Sequence, residues 1–208
     1  MNGSKRVVRD NPVEKPVKSA RRNLRSAILE SAVSSLIEQG TAATTTLEVQ
    51  RRAGVSRGAL LHHFPTHASL LAATVDELVR RNERAVQESL AALPDAGNSV
   101  ERAIRILARV TSQPAYMAEL ELWAVARTDP DLRVLLSEAE RAARKERDRV
   151  INALFRSVKG EAARTEVIAM TMEFLRGLAL SGVLRKNPAR RQKLLAGWIR
   201  ATQTLLEE

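Results

Sequence analysis

The chain has 208 residues, of which 44% are hydrophobic but only 3% aromatic, and it carries a net charge of +10. That length allows one generous domain or two small ones with an aliphatic core, and the charge favours anionic partners, nucleic acid first and a membrane surface second. Cysteine is absent, which excludes disulfides, zinc–thiolate sites and cysteine nucleophiles, while nine glycines and seven prolines favour long helices over a turn-rich β fold.

The first 25 residues hold eight basic groups against Asp10 and Glu14. With Pro12 and Pro16 and no apolar period, residues 1–18 read as a disordered basic arm, suited to lying along phosphates. From about Ser19 a helix is expected. Ile28, Ala32, Leu36 and Leu29, Val33, Ile37 form its apolar stripe, and Gly40 closes it.

Thr45 and Glu48 have the spacing of a capping box, the threonine oxygen taking an orphan N–H while the glutamate reaches back. A second helix is expected over about 46–53. Gly54 permits the positive φ of a tight turn, Ser56 caps a third helix through about Phe64, and Pro65 stops it. Two short capped helices about a glycine turn make a helix-turn-helix, the device that presents a helix end to the DNA major groove. Arg57, at the start of the third helix, suits the O6 and N7 of guanine. Gly58 and Ala59 are small enough for close approach, and Ala59 suits a thymine methyl. Leu60 and Phe64 should pack inward, leaving Leu61, His62 and His63 for the DNA side or its rim. His67 opens the next helix near the backbone. The three histidines lack metal-ligand spacing, so neither a metal nor another cofactor is expected.

A fourth helix is expected from His67 or Ala68 to about Ala92, with Leu70, Leu71, Val75, Leu78 and Val79 as its stripe, followed by a loop at 93–98. Further helices are expected over about 99–111, 115–127, 130–158, 161–184 and 189–206, separated by Gln113-Pro114, Asp129-Pro130, Lys159-Gly160 and Asn187-Pro188. Glu138 to Arg149, dense in both signs, reads as a solvated face laced with i, i+4 pairs. No apolar run approaches the ~18–20 residues of a membrane span, and no secretory signal opens the chain. A cytoplasmic protein with no membrane partner is expected.

The stretch from Thr44 to Leu70 resembles the DNA-binding signature of the TetR family of regulators. The resemblance rests on Arg52-Ala53-Gly54-Val55-Ser56-Arg57-Gly58-Ala59-Leu60, His63-Phe64-Pro65 and Leu70-Leu71, with Ile28-Leu29-Glu30 and Glu38-Gln39-Gly40 similar to the family's first helix. Glu121 to Pro130 is similar to part of its helical body. The resemblance implies an all-α fold: a three-helix helix-turn-helix domain at 19–66, and a helical effector-binding and dimerisation domain at 67–208. It implies a homodimer reading a palindromic stretch of double-stranded DNA, and a cavity whose small-molecule effector moves the fourth helix. By this likeness Thr45, Thr46, Leu61, His63 and His67 take phosphate-side positions, and Arg57, Gly58, Ala59 and His62 groove positions, with Ser56 at the cap. The family usually has Tyr where Leu61 stands and Lys where His67 stands.

The last two helices are then expected to pair with a second copy. Phe174, Leu178 and Gly182 on one, and Leu195, Trp198, Ile199 and Thr202 on the other, are the expected contacts. Tyr116, Met117, Leu120, Trp123, Phe155 and Phe174, large side chains of the body, are the expected cavity lining. The favoured function is a repressor released by a small apolar effector. The alternative is an architectural DNA-binding protein without an effector. No nucleophile motif, phosphate loop or metal spacing supports an enzyme.

Overall fold

The computed structural model describes residues 16–92 and 99–206, with side chains from residue 24 onward. Among the described residues there are nine α-helices and no strand: α1 (Pro16–Gln39), α2 (Thr46–Ala53), α3 (Arg57–His63), α4 (His67–Ala92), α5 (Ser99–Val110), α6 (Pro114–Ala126), α7 (Pro130–Leu154), α8 (Glu161–Leu184) and α9 (Pro188–Leu205). The all-α class expected from the sequence is therefore the class observed. The basic arm expected at 1–18 lies mostly outside the described residues, and its last three positions belong to α1.

Caps set most of these boundaries. Proline stands in the first turn of α6, α7 and α9, where its missing N–H costs nothing. Asp129 and Asn187 cap α7 and α9 by accepting from the N–H groups of Leu132 and Arg190. One boundary departs from expectation: α7 ends at Leu154 rather than near 158. The Phe155 and Val158 N–H groups donate three residues back, to Asn152 and Phe155. This tightening turns both side chains into the core, where each is buried.

The long helix α4 organises the molecule, packing along α7 and touching α1, α5 and α6. One apolar core runs without a break from α1–α3 into the body. It joins Ile28, Val33 and Leu36 to Val49, Leu60 and Phe64, and these to Leu71, Val75, Leu78, Leu122 and Leu132. A second core holds α5, α8, α9 and the end of α7 together around Ile104, Leu107, Phe155, Leu175 and Ile199.

The helix α8 corrects an expectation. By length and composition it is apolar enough to cross a membrane, yet only 28% of its most apolar window is buried in the chain. Its hydropathy comes from interspersed Ala, Gly, Val and Leu with few charges, not from one continuous apolar run, so a search for runs misses it. The residues left outside are Met170, Gly177, Leu180, Val183 and Leu184, the last 91% exposed. Spaced three and four apart from 170 to 184, most of them form one stripe.

Candidate functional site

The turn between α2 and α3 is built as its sequence requires. Gly54 has φ +65°, the Gly54 N–H donates to Arg51 and the Val55 N–H to Gln50. This double bond closes α2 and lets the chain reverse without strain. The Ser56 hydroxyl then accepts from the Ala59 N–H and starts α3. Leu60 and Phe64, four apart, are buried against α1 and α4. With that face fixed, the opposite face of α3 points outward: Ser56, Arg57, Gly58 and His62 are exposed, and Ala59, Leu61 and His63 half-buried. Nothing lies within 4 Å of where a Cβ on Gly58 would sit. The His62 and His63 rings meet edge to face at 5.2 Å.

The α2 start is realised in half of the expected form. The Thr45 hydroxyl accepts from the Glu48 N–H at 3.1 Å, as expected. The Glu48 carboxylate does not reach back. It takes Arg51 and, at 2.6 Å, Arg52, and these hydrogen bonds hold its pKa down at about 2. The Thr45 N–H donates to Ala43 instead. A guanidinium is a stronger partner for a carboxylate than a backbone N–H, and two were in reach. Arg52 also bridges to Glu38 on α1, so its charge is spent inside the protein. Thr45 is exposed and Thr46 half-buried at this helix start.

His67 carries an internal contact that the sequence did not foretell. Its Nε2 lies 2.6 Å from the Thr44 carbonyl oxygen. A carbonyl only accepts, so this nitrogen carries the hydrogen and the ring is held against the loop before α2.

A small body cavity of about 50 Å³ lies between α4, α5, α6, α7 and α8. Its walls are mostly apolar, with Val79, Val86, Leu107, Val110 and Ile151 among them, and its polar lining is Asn82, Glu83, Thr111, Tyr116, Glu119 and Arg147. Of the expected lining residues only Tyr116 is there. Phe155 is sealed in the second core, and Phe174 stacks on Trp198 at 5.0 Å beside it. The Trp123 indole donates to Glu140, lies under the Arg176 guanidinium at 4.8 Å and borders a surface groove. Met117 and Leu120 also lie outside the lining. Size alone selected these residues, and in a helical body large side chains are first of all packing.

The cavity's polar wall is where the sequence reading failed most usefully. Glu119 on α6 is only 3% exposed. Its carboxylate receives the Asn82 side-chain N–H at 3.0 Å and the Arg147 guanidinium at 2.9 Å. Burial outweighs that guanidinium and raises its pKa to about 7. Arg147 also binds Glu140 at 2.9 Å. The run 138–149, expected to be a solvated face, thus sends Glu140 and Arg147 inward and leaves Glu146 and Arg149 outside as a surface pair. Three buried atoms at this wall have no hydrogen-bond partner: Asn82 Oδ1, Glu83 Oε1 and Tyr116 Oη.

A last contact joins the helix-turn-helix to the body. The Thr41 N–H, just past α1, donates to Glu121 of α6 at 2.6 Å. Gly40, at φ +82°, leaves the space: a Cβ there would lie 2.9 Å from the same carboxylate oxygen.

The expected pairing residues of α8 and α9 divide between the chain's own core and its half-buried rim. Leu178, Leu195, Ile199 and Thr202 are buried within the chain's own core. Trp198 donates to Thr171 and stacks on Phe174, tying α9 to α8 inside one subunit. Gly182 is half-buried. Each helix has more than one apolar face, and four of the seven residues named from the sequence face inward.

Fold and turn together define the class: an all-helical protein with an amino-terminal helix-turn-helix. Residues 28–74 match the family model described as bacterial regulatory proteins, tetR family. A helix-turn-helix-type transcriptional regulator of Mycobacterium tuberculosis is 33% identical over 109 residues, which cover 52% of this chain and 56% of the relative. The chain thus spans about half the length of the curated relatives it matches first. Among solved structures, a TetR-family regulator from Rhodococcus sp. superposes with a TM-score of 0.66 at 20% identity, over 89% of this chain and 99% of that one. The multidrug binding protein EbrR complexed with imidazole gives 0.59 at 22% identity, over 85% and 93%. These likenesses establish the fold along most of the chain.

Proposed function

We propose that the protein is a transcriptional regulator that binds double-stranded DNA as a homodimer through α2 and α3 and is released by a small-molecule effector held in its body. The observation that carries this reading is the outward face of α3. Its apolar side is locked into the core, while Arg57, Gly58 and His62 stand exposed at one rigid edge. Two hydrogen-bonding nitrogens on an otherwise free Arg57, next to a residue without a side chain, suit the edge of a guanine in the major groove. Thr45 and Thr46 at the start of α2 suit the flanking phosphate, because orphan N–H groups and hydroxyls converge there. His67 acts at one remove, by holding the loop that carries them.

The second copy docks on the exposed stripe of α8, through Met170, Leu180, Val183 and Leu184, with Leu194 and Leu205 of α9 beside it. Gly177 on that stripe allows close helix approach. The effector enters the cavity between α4 and α8. EbrR, of the same fold, has been solved with a small molecule bound, which supports an effector here. α6 supplies the link: Tyr116 and Glu119 face the cavity, and Glu121, two residues on and on the other side of the helix, grips the end of α1. A ligand that moves α6 or α4 shifts the helix-turn-helix, and the DNA is released, so the output is repression.

The test is selection of duplexes from a random pool with the purified chain. A short palindrome with half-sites about one helical turn apart is expected. Retention of all sequences alike would favour an architectural protein without an effector.

A further inference from the structure

We propose that the body cavity takes a small protonated amine with an apolar body, its N–H groups on Glu119, Glu83 and Asn82. The proposal rests on the effector reading above and names the chemistry of that ligand.

The argument starts from which atoms at the cavity wall lack partners. Asn82 Oδ1 and Glu83 Oε1 accept only, and Tyr116 Oη accepts as well as donates. An unpaired acceptor removed from water is costly, so a ligand that brings N–H groups gains more here than one that brings oxygen. The charged and amide donors on the wall are already engaged, which leaves the Tyr116 O–H as a neutral one. Arg147 holds Glu119 and Glu140 at 2.9 Å each, and the Asn82 amide donates to Glu119 at 3.0 Å. An incoming carboxylate or phosphate would meet Glu83 and Glu119 with no free donor of comparable strength to receive it.

Charge gives the same answer. Glu83 and Glu119 line the cavity with one guanidinium, Arg147, and that guanidinium is shared with Glu140 behind it. The wall therefore holds more carboxylates than cations, and a positive charge is the addition it favours. Burial raises the pKa of both Glu83 and Glu119, so the empty wall resists ionising until a cation arrives. The groups that bear on them are Arg80 from α4, Tyr116 from α6, Glu140, Glu146, Arg147 and Arg149 from α7, and Arg176 from α8.

The remaining wall is aliphatic, and about 50 Å³ holds a few heavy atoms only. Met172, half-buried and unbranched, is the side chain best able to yield to a longer apolar body. The ligand is therefore compact: an ammonium head, a short linker, one apolar group.

The experiment titrates the full chain by calorimetry with three probes of one shape: 2-phenylethylamine, 2-phenylethanol and 3-phenylpropanoate. The amine is expected to bind at least about tenfold tighter than either analogue, as a charge-assisted hydrogen bond requires. Its affinity should rise by about tenfold from about pH 6 to about pH 8, because binding expels the proton that Glu119 keeps below about pH 7. Glu119→Gln, which fills the same space without the charge, should lose both the preference and the pH dependence. Glu83→Gln should weaken the amine and leave the alcohol unchanged. Equal or tighter binding of the alcohol or the acid overturns the proposal, as does an amine that fails to bind, or a preference that survives in both variants. DNA binding followed with the same probes separates the two readings. Release by the alcohol or the acid keeps the regulator and overturns the amine; amine-selective binding in a chain that ignores DNA keeps the amine site and overturns the regulator.

Discussion

Arg57 and Glu119 mark opposite ends of what single residues do here. Arg57 is exposed with no partner among the described contacts, and Ser56 fixes it in the first turn of α3. Its value lies outside the chain. Arg57→Ala should weaken binding to the preferred duplex by about 1–3 kcal/mol and leave binding to random DNA nearly unchanged, measurable by fluorescence anisotropy. Glu119 is the reverse, a carboxyl whose environment inside the chain decides its charge. Its pKa is raised from 4.5 to about 7, so the stability it contributes is complete below about pH 4.5 and lost as pH rises through about 7. Glu119→Gln removes that dependence. In thermal unfolding the variant should gain on the parent between pH 5 and pH 8, by up to roughly 3 kcal/mol for a shift of this size. A constant difference across that range would show the carboxyl ionised throughout. Arg57 was legible in the sequence because a cap residue and a glycine flank it. Glu119 was not, because nothing local marks a glutamate in α6 as buried. Its burial follows from where α4 and α7 cross it.

Elements repeat that division. Helix starts and stops were readable wherever a side chain makes them: Thr45 and Ser56 cap through the predicted oxygen, and Asp129 and Asn187, at predicted breaks, cap as well. The capping box at α2 was read too fully, since its glutamate had better partners one turn on, in Arg51 and Arg52 of its own helix. The face a helix buries was readable for α1 and α4, each with one apolar stripe. For α8 two apolar faces compete: Leu178 is buried in the chain's own core and Phe174 and Gly182 are half-buried, while Met170, Gly177, Leu180 and Leu184 lie outside. A helix apolar on two sides does not say which side its own chain will cover. The clasp between α1 and α6 also escaped sequence reading, because its partners are 80 positions apart. It makes a sharp prediction. Gly40→Ala forces a side chain into a positive-φ position and against Glu121, and should cost about 1–2 kcal/mol in chemical denaturation. Glu121→Ala should cost about 1–3 kcal/mol by orphaning the Thr41 N–H. The double variant should be less destabilised than the sum, because removing the carboxylate relieves the crowding at residue 40. Strict additivity would mean that the two groups do not meet.

At the scale of the whole molecule, the continuous core from α1 to α7 explains how a change in the body could reach the DNA-facing edge without a hinge between separate domains. The exposed stripe of α8 is what the proposed second copy would cover, since Leu184 alone is 91% exposed on a helix with few charges. Leu184→Glu or Leu180→Glu should convert a dimer to a monomer in light scattering at micromolar concentration, with folded far-UV signal retained. The same variants should lose most of their affinity for a palindromic site and keep that for a single half-site. A dimer that survives both substitutions would place the interface elsewhere.

The central claim is that α3 reads base edges, once from each of two copies. Repeating the random-pool selection with Arg57→Ala beside the parent chain tests it most directly. The account predicts a palindrome for the parent and, for the variant, loss of preference at one symmetric pair of guanines with the half-site spacing unchanged. The same consensus from both proteins, or none from the parent, would contradict it.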